Sequence, residues 1–394
     1  MKLSEVRLET SNNGVRLSGR VEGLGAEPYF EFPLEFQNLV TDTADPFVPA
    51  LVVPALERGE PLEIVPPVSP QLAARIPRIV DTLTSLFPKF RRAPVVVHER
   101  QGTPSQTGTM VATLFSSGVD SFYTLLKGLK PDADPGLRPT HLLFIQGHEQ
   151  RLGETSGADG TVSAIREVAR ETGTGVISGF TNLRALFGLN YEVYYQGALL
   201  AASALALSRG VKRLIVSSTF TYSQLRPWGS HPLLDELWST ETMEIVHDGA
   251  EARRVDKIAR IVSRHPLALK HLRVCLYNQE SPRNCGHCKK CARTMMALEL
   301  IGKLRDTNMF PLVSRQELAR GLRKDDPHFL DELYDFAREL GNTEGVAFLE
   351  SVMKSQKRRR AARSLLESTP LLDTVMPTVD QLRRRVRSAV GSRQ

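Results

Sequence analysis

Leu114-Phe115-Ser116-Ser117-Gly118-Val119-Asp120-Ser121 is the stretch on which the reading of this chain turns. An apolar run from Val111 to Phe115 predicts a strand, three small residues follow, and the pattern from Asp120 to Leu129 predicts a helix. A small-residue turn between strand and helix is a site for anions. The backbone can approach a phosphate chain, the N–H groups of the first helical turn point at it, and the helix dipole adds partial positive charge. Ser116 and Ser121 can donate hydroxyl hydrogen bonds to phosphate oxygens, and Asp120 could hold the magnesium that accompanies a nucleotide. Asp120 and Ser121 suit helix capping equally well.

Working outward, apolar strands and helices take turns from Met110 onward. The pattern predicts strands at Val111 to Phe115, His141 to Ile145, Gly175 to Ser178, Arg213 to Ser217 and Met243 to Val246. Helices are expected at Asp120 to Leu129, Thr161 to Thr172, Tyr191 to Ser208 and Ala252 to Ser263. Alternating βα units predict an α/β fold: a parallel sheet of about five strands with helices on both faces, binding ligands outside the carboxyl ends of its strands. Before it, the alternation at Val6 to Glu9, Val15 to Ser18 and Tyr29 to Phe32, a helix from Gln71 to Phe90, and Val95 to His98 predict a β-rich N-terminal domain. Gly102 to Gly108 has linker composition. Helices expected at Arg293 to Lys303 and Phe329 to Lys354 predict a helical C-terminal region, giving units at 1–107, 108–302 and 303–394.

All four cysteines lie close together: Cys275, nine residues, then Cys285-x2-Cys288-x2-Cys291. One turn-rich segment could bring four thiolates onto a tetrahedral ion, with Gly286 allowing the tight backbone and Lys289 and Lys290 offsetting the negative charge. Zinc is the expected metal; an iron–sulfur cluster uses the same ligands, and buried free thiols are the plain alternative.

The Ser116 to Ser121 segment resembles the S-G-G-x-D-S loop of the N-type ATP pyrophosphatases, the PP-loop superfamily, with Ser116, Gly118, Asp120 and Ser121 matching and Ser117 replacing the first glycine. A Cβ at Ser117 is awkward if the backbone there needs positive φ. Taken with the cysteines, the region from about Val111 to Gly302 resembles the 7-cyano-7-deazaguanine synthase (QueC) family. The resemblance implies an adenine nucleotide alpha hydrolase-like fold. It also implies ATP with magnesium on residues Ser116, Ser117, Gly118, Val119, Asp120 and Ser121, a structural zinc on Cys275, Cys285, Cys288 and Cys291, and Lys257 near the ATP phosphates. The implied reaction forms AMP and pyrophosphate while adenylating a carboxylate or amide oxygen, Asp120 and Lys257 acting catalytically, and nitrogen insertion follows. Ile145-Gln146-Gly147-His148-Glu149 and the stretch from Tyr222 to His231 with Asp235 depart from the family text, and both chain ends are additions, so a different substrate is expected. Thiolation from an external sulfur donor and a non-catalytic nucleotide- or RNA-binding module are the alternatives.

Composition sets the outer bounds. With 394 residues, 41% hydrophobic and 24% charged, the chain can bury a large core. The longest mostly apolar stretch, Ala198 to Leu207, is short of the roughly 18 residues of a membrane span. No basic-then-apolar leader is visible, so a soluble, cytoplasmic protein is expected, with no membrane partner. From Ser351 to Gln394, 11 basic residues, among them Lys357 to Arg360 and Arg383 to Arg387, stand against three acidic ones, 11 − 3 = +8 of the formal +7, leaving the rest near −1. Such a tail can hold RNA through its phosphates or simply be a solvated end. The acyl substrate, small or macromolecular, and a homodimer are left open. His148, Glu149, Arg226, Trp228, His231, His247 and Asp248 fall near strand ends and are weaker candidates, each with an ordinary structural role available.

Overall fold

Period-two alternation in the first thirty residues produces an antiparallel meander: β1 (Lys2–Ser11), β2 (Gly14–Glu22) and β3 (Tyr29–Phe32). In this computed structural model, which describes residues 1–102, 108–148, 155–275 and 283–367, helix α1 (Phe47–Arg58), β4 (Leu62–Val68), α2 (Pro70–Leu86) and β5 (Val95–Glu99) come next. β4 lies parallel to β1, and β5 parallel to β4. Ser69 starts α2 by accepting a hydrogen bond from Leu72 N at 3.1 Å, with Pro70 at the first helical position, where its missing N–H costs nothing.

The regular part follows as β6 (Met110–Leu114), α3 (Val119–Gly128), β7 (His141–Gln146), α4 (Thr155–Thr172), β8 (Gly175–Thr181), α5 (Leu183–Phe187), α6 (Gln196–Leu205), β9 (Val211–Ser217), α7 (Pro232–Asp235) and β10 (Glu244–Asp248). The C-terminal helices are α8 (Arg254–Arg260), α9 (Pro266–His271), α10 (Lys289–Leu300), α11 (Arg315–Leu322), α12 (Pro327–Glu339) and α13 (Thr343–Glu367). Strands β6 to β10 are parallel neighbours in the order β10-β9-β6-β7-β8, so all five expected strands form. They do not stand alone. Antiparallel pairing of Phe30 and Glu31 with Thr181 and Phe180 joins β8 to β3, and the whole is one ten-stranded mixed sheet, β10-β9-β6-β7-β8-β3-β2-β1-β4-β5.

Alternation along β7 shows how the two faces are used. Leu143 and Ile145 enter a core shared with α1, α2 and α6, whereas Leu142 and Phe144 enter one shared with α3, α4, α8 and α10 to α13. The N-terminal region therefore shares its core with the central strands, and so do the C-terminal helices. Three expected helices change at their ends or middle. Tyr191–Tyr195 forms a π-helical turn before α6, α8 tightens at Val262–Arg264, and the helix expected from Phe329 to Lys354 breaks into α12 and α13 at Gly341, whose φ is 65°. Lys354 and Lys357 to Arg360 are exposed on α13, while Arg383 to Arg387 lie outside the described residues. No helix among the described residues is long and apolar enough to cross a membrane.

Candidate active site and metal centre

Strand β6 has β7 on one side and β9 on the other, so the chain's direction of winding reverses at β6 and opens a crevice at the carboxyl ends of the strands. The Ser116 to Ser121 turn sits there. Ser117 has φ of 60°, the one positive value outside glycine among the described residues, so the backbone does take the left-handed shape that the missing glycine would favour. Its carbonyl accepts from Arg273 N at 2.8 Å, while its buried hydroxyl has no hydrogen-bond partner. Gly118 is the N-cap of α3, with no side chain capping the helix, and Ser121 Oγ donates to Gly118 O at 3.1 Å.

Ser116, Gly118, Val119, Asp120 and Ser121 line a cleft of about 260 Å³, slightly below the usual span of small-ligand sites, roughly 300–1,000 Å³. Six cationic side chains line it, Arg226, Arg254, Arg273, Lys289, Lys290 and Arg293, against four carboxylates, Asp120, Glu192, Asp325 and Asp326. The balance favours an anion. Arg254 and Lys257 both donate to the Asp120 carboxylate, the lysine at 3.2 Å. Burial alone would raise the Asp120 pKa, but Arg254 and then Lys257 outweigh it and hold the carboxyl below its usual range. Lys257 is 1% exposed and donates onward to Ser218 O at 2.6 Å, tying the turn after β6 to the loop after β9. It reaches Asp120 but does not itself line the cleft.

A second basic element enters from α10. Arg293, 4% exposed, places its guanidinium 3.6 Å from the Phe329 ring centre and 3.5 Å from Asp325 Oδ2. Burial, then repulsion from Arg254, lowers its pKa to about 10, still charged at neutral pH. Phe329 also stacks on Phe220, whose edge meets Trp228 at 5.4 Å, and Arg226 lies over Phe220 while pairing with Asp326 at 3.3 Å. The wall of this cleft is thus an aromatic platform with guanidinium groups laid on it.

The other expected residues separate cleanly. His148 lines the cleft, 2.9 Å from Ser203 Oγ, but burial and then Arg184 lower its pKa to about 3, so it is a neutral ring and no proton donor near neutrality. Glu149 lies outside the described residues. His231 caps α7, accepting from Leu233 N at 3.1 Å. His247 Nδ1 lies 2.8 Å from Asp235 Oδ2, which also accepts from Ser230 Oγ at 2.6 Å, a buried network away from the cleft. Asp248 pairs with Lys127 at 2.6 Å.

The four cysteine sulfurs all lie within 4.8 Å of one another, with Cys285 and Cys291 at 3.8 Å. A tetrahedral ion with metal–sulfur bonds of ~2.3 Å places its sulfurs about 3.8 Å apart, so the cluster could hold a metal ion such as zinc. Contact with Cys275 is the largest influence on Cys288, whose thiol is pushed up to about 11, and it pushes Cys291 up as well; a dication reverses that preference. Gly286 takes φ of 76°, and a Cβ there would come within 2.6 Å of Pro311. Cys275 also lines the cleft, so cluster and cleft share a wall.

Arg254, Arg273, Arg293, Asp325 and Phe329 were not legible as site residues. Arg254 had a signal, one helical turn before Lys257, and Arg293 stands two residues past the last cysteine; Asp325 and Phe329 had none. The chain matches no protein-family model, no curated protein and no solved structure.

Proposed function

We propose that this chain is an ATP-dependent enzyme of the PP-loop type, which activates a carboxylate or amide oxygen with release of pyrophosphate and then lets a nitrogen nucleophile displace AMP. One observation carries the reading: an uncapped helix start with a small-residue turn, at the point where the sheet's winding reverses, opens into a cleft whose six cationic side chains outnumber its four carboxylates. The phosphates would lie on Ser116 and Gly118 to Ser121, while Ser117, which does not line the cleft, shapes the turn. Asp120 would hold magnesium, since Arg254 and Lys257 take only two of the roughly four acceptor positions of a carboxylate, and the metal would neutralise charge on the phosphates. Lys257 acts as a positioning residue through Asp120 rather than by touching phosphate. Zinc on the four cysteines is a structural element of this proposal. Phe220, Trp228 and Phe329 offer a surface on which a planar substrate can stack.

The chain's four cysteines all belong to one cluster, which leaves no thiol for a persulfide relay and favours nitrogen over sulfur as the incoming atom. The direct test is product analysis with ATP, magnesium, ammonia and a panel of heterocyclic carboxylic acids. AMP and pyrophosphate are expected; ADP and phosphate as sole products would refute the proposal.

A further inference from the structure

Arg293 poses a problem that the cysteine cluster does not solve. A guanidinium 96% removed from solvent normally has its N–H donors matched to acceptors, yet Nε and Nη1 of Arg293 have no hydrogen bond, and neither has Nε of Arg254. Asp325 stands 3.5 Å from Nη1, an ion-pair distance without hydrogen-bond geometry, and the Asp325 atom concerned, Oδ2, is itself without a hydrogen bond. Phe329 lies beneath both guanidinium groups, 3.6 Å from that of Arg293 and 5.5 Å from that of Arg254. Both arginines line the cleft that Ser116 and Gly118 to Ser121 also line. Two neighbouring cations with spare donors in a buried wall fit an acceptor-rich polyanion, not a neutral group.

We propose that Arg293 and Arg254, seated on Phe329 and steadied by Asp325, form a pyrophosphate-binding subsite that completes the phosphate turn from the opposite side of the chain's sequence. The assignment rests on the adenylation reading above and adds the residues that hold the leaving group. As the substrate oxygen bonds to the α-phosphorus, the α–β bridging P–O bond breaks, and its electron pair leaves with the bridging oxygen on pyrophosphate. Charge therefore grows on the group that these guanidinium donors would face. Arg293 comes from the helix that begins at Cys288, and Asp325 and Phe329 come from the C-terminal helical region, so the site would be incomplete without either.

Titration calorimetry with inorganic pyrophosphate and, separately, AMP tests the subsite. Arg293→Met should weaken pyrophosphate binding by about 10- to 100-fold and leave AMP binding within about threefold. If that variant does not fold, the double variant Arg293→Met/Asp325→Asn, which removes the ion pair as a unit, should give the same selective loss. Arg293→Lys, which keeps the charge without the fork, should fall between the variant and the wild type. Pyrophosphate binding that is indifferent to Arg293, or a wild type that does not bind pyrophosphate, overturns the subsite. Product analysis separates this from the parent reading. If ATP is never cleaved to AMP and pyrophosphate but Arg293-dependent pyrophosphate binding persists, the adenylation reading fails and the subsite stands.

Discussion

Ser117→Gly should stabilise the protein, because Ser117 holds a backbone shape that costs a side chain energy and buries a hydroxyl with no partner. Its φ of 60° places a Cβ in the left-handed region, worth about 1–2 kcal/mol of strain. Glycine removes that strain but gives back about 0.5–1 kcal/mol through the greater freedom of the unfolded chain. The unpartnered hydroxyl adds a further gain, on the order of 1 kcal/mol, when it is deleted. Ser117→Ala isolates this last contribution, since alanine removes the hydroxyl and keeps the strain. Denaturant unfolding should therefore rank glycine above alanine above wild type, with alanine gaining about 1 kcal/mol and glycine roughly 0.5–1 kcal/mol more. A glycine variant less stable than the alanine variant would show that the turn is not strained at this position. Nucleotide affinity should be unchanged in both variants, because Ser117 does not line the cleft and its carbonyl bond to Arg273 is made by the backbone.

Metal analysis of the purified protein should find about one zinc per chain, and Cys288→Ser should lower the unfolding temperature; an iron chromophore would reassign the cluster. Asp120→Asn should abolish AMP formation and cost about 3 kcal/mol, since it leaves Arg254 and the buried Lys257 without their counter-charge; unchanged kinetics would reduce Asp120 to a strut. The Asp120 pKa is depressed in the fold, so its contribution is complete above the unfolded value near 3.8 and is lost as pH falls through the lower folded value, which acid titration of the variant against wild type will show. His148 acts in the same direction over a higher pH window, because burial keeps its ring neutral in the fold. With a folded pKa of about 3 against 6.5, it stays neutral while the unfolded chain gains a proton, so stability should fall by up to about 1.4 kcal/mol per pH unit from about 6.5 down to about 3. His148→Gln should flatten that slope, and an unaltered profile would refute the assignment.

The legible parts of this protein were those where local sequence and tertiary fold agree. The strands β6 to β10 are apolar runs bounded by polar turns, and each forms within a few residues of where the pattern places it. Helix α1 was missed because Phe47 to Leu56 is buried on every side; a helix with no solvent face shows no helical periodicity, and Pro49 and Pro54 argue locally against it. β4 was missed for the companion reason that Pro66 and Pro67 interrupt its ladder. The joining of the N-terminal meander to the central sheet depends on the edge pairing of β3 with β8, a long-range choice that leaves no local mark. In the site, the turn and the cysteine cluster were readable because each is local: small residues between a strand and a helix, and thiols three residues apart. Arg293, Asp325 and Phe329 were not, because the cleft wall needs a position in space and sets no spacing along the chain.

The cysteine cluster and the strained turn are mechanically one assembly. Arg273, two residues before Cys275, donates its backbone N–H to the carbonyl of Ser117, the residue with the left-handed backbone. Asn284, beside Cys285, accepts from the N–H groups of Val274 and Cys275 at 2.8 and 3.1 Å, which clamps the two ends of the cysteine segment together. Cys288 then caps α10, its sulfur accepting from Cys291 N, and the same helix carries Arg293 into the cleft. Behind it, Gln356 on α13 donates to Asp325 O at 2.9 Å and fixes the loop that faces Arg293. A metal ion drawing the four sulfurs together would therefore hold the Ser116 to Ser121 turn, through Arg273, and the start of the arginine-bearing helix at once. Under the proposed function such an ion would do no chemistry, yet the geometry of the proposed anion site would depend on it, because the turn and the arginine-bearing helix both connect to the cysteine segment.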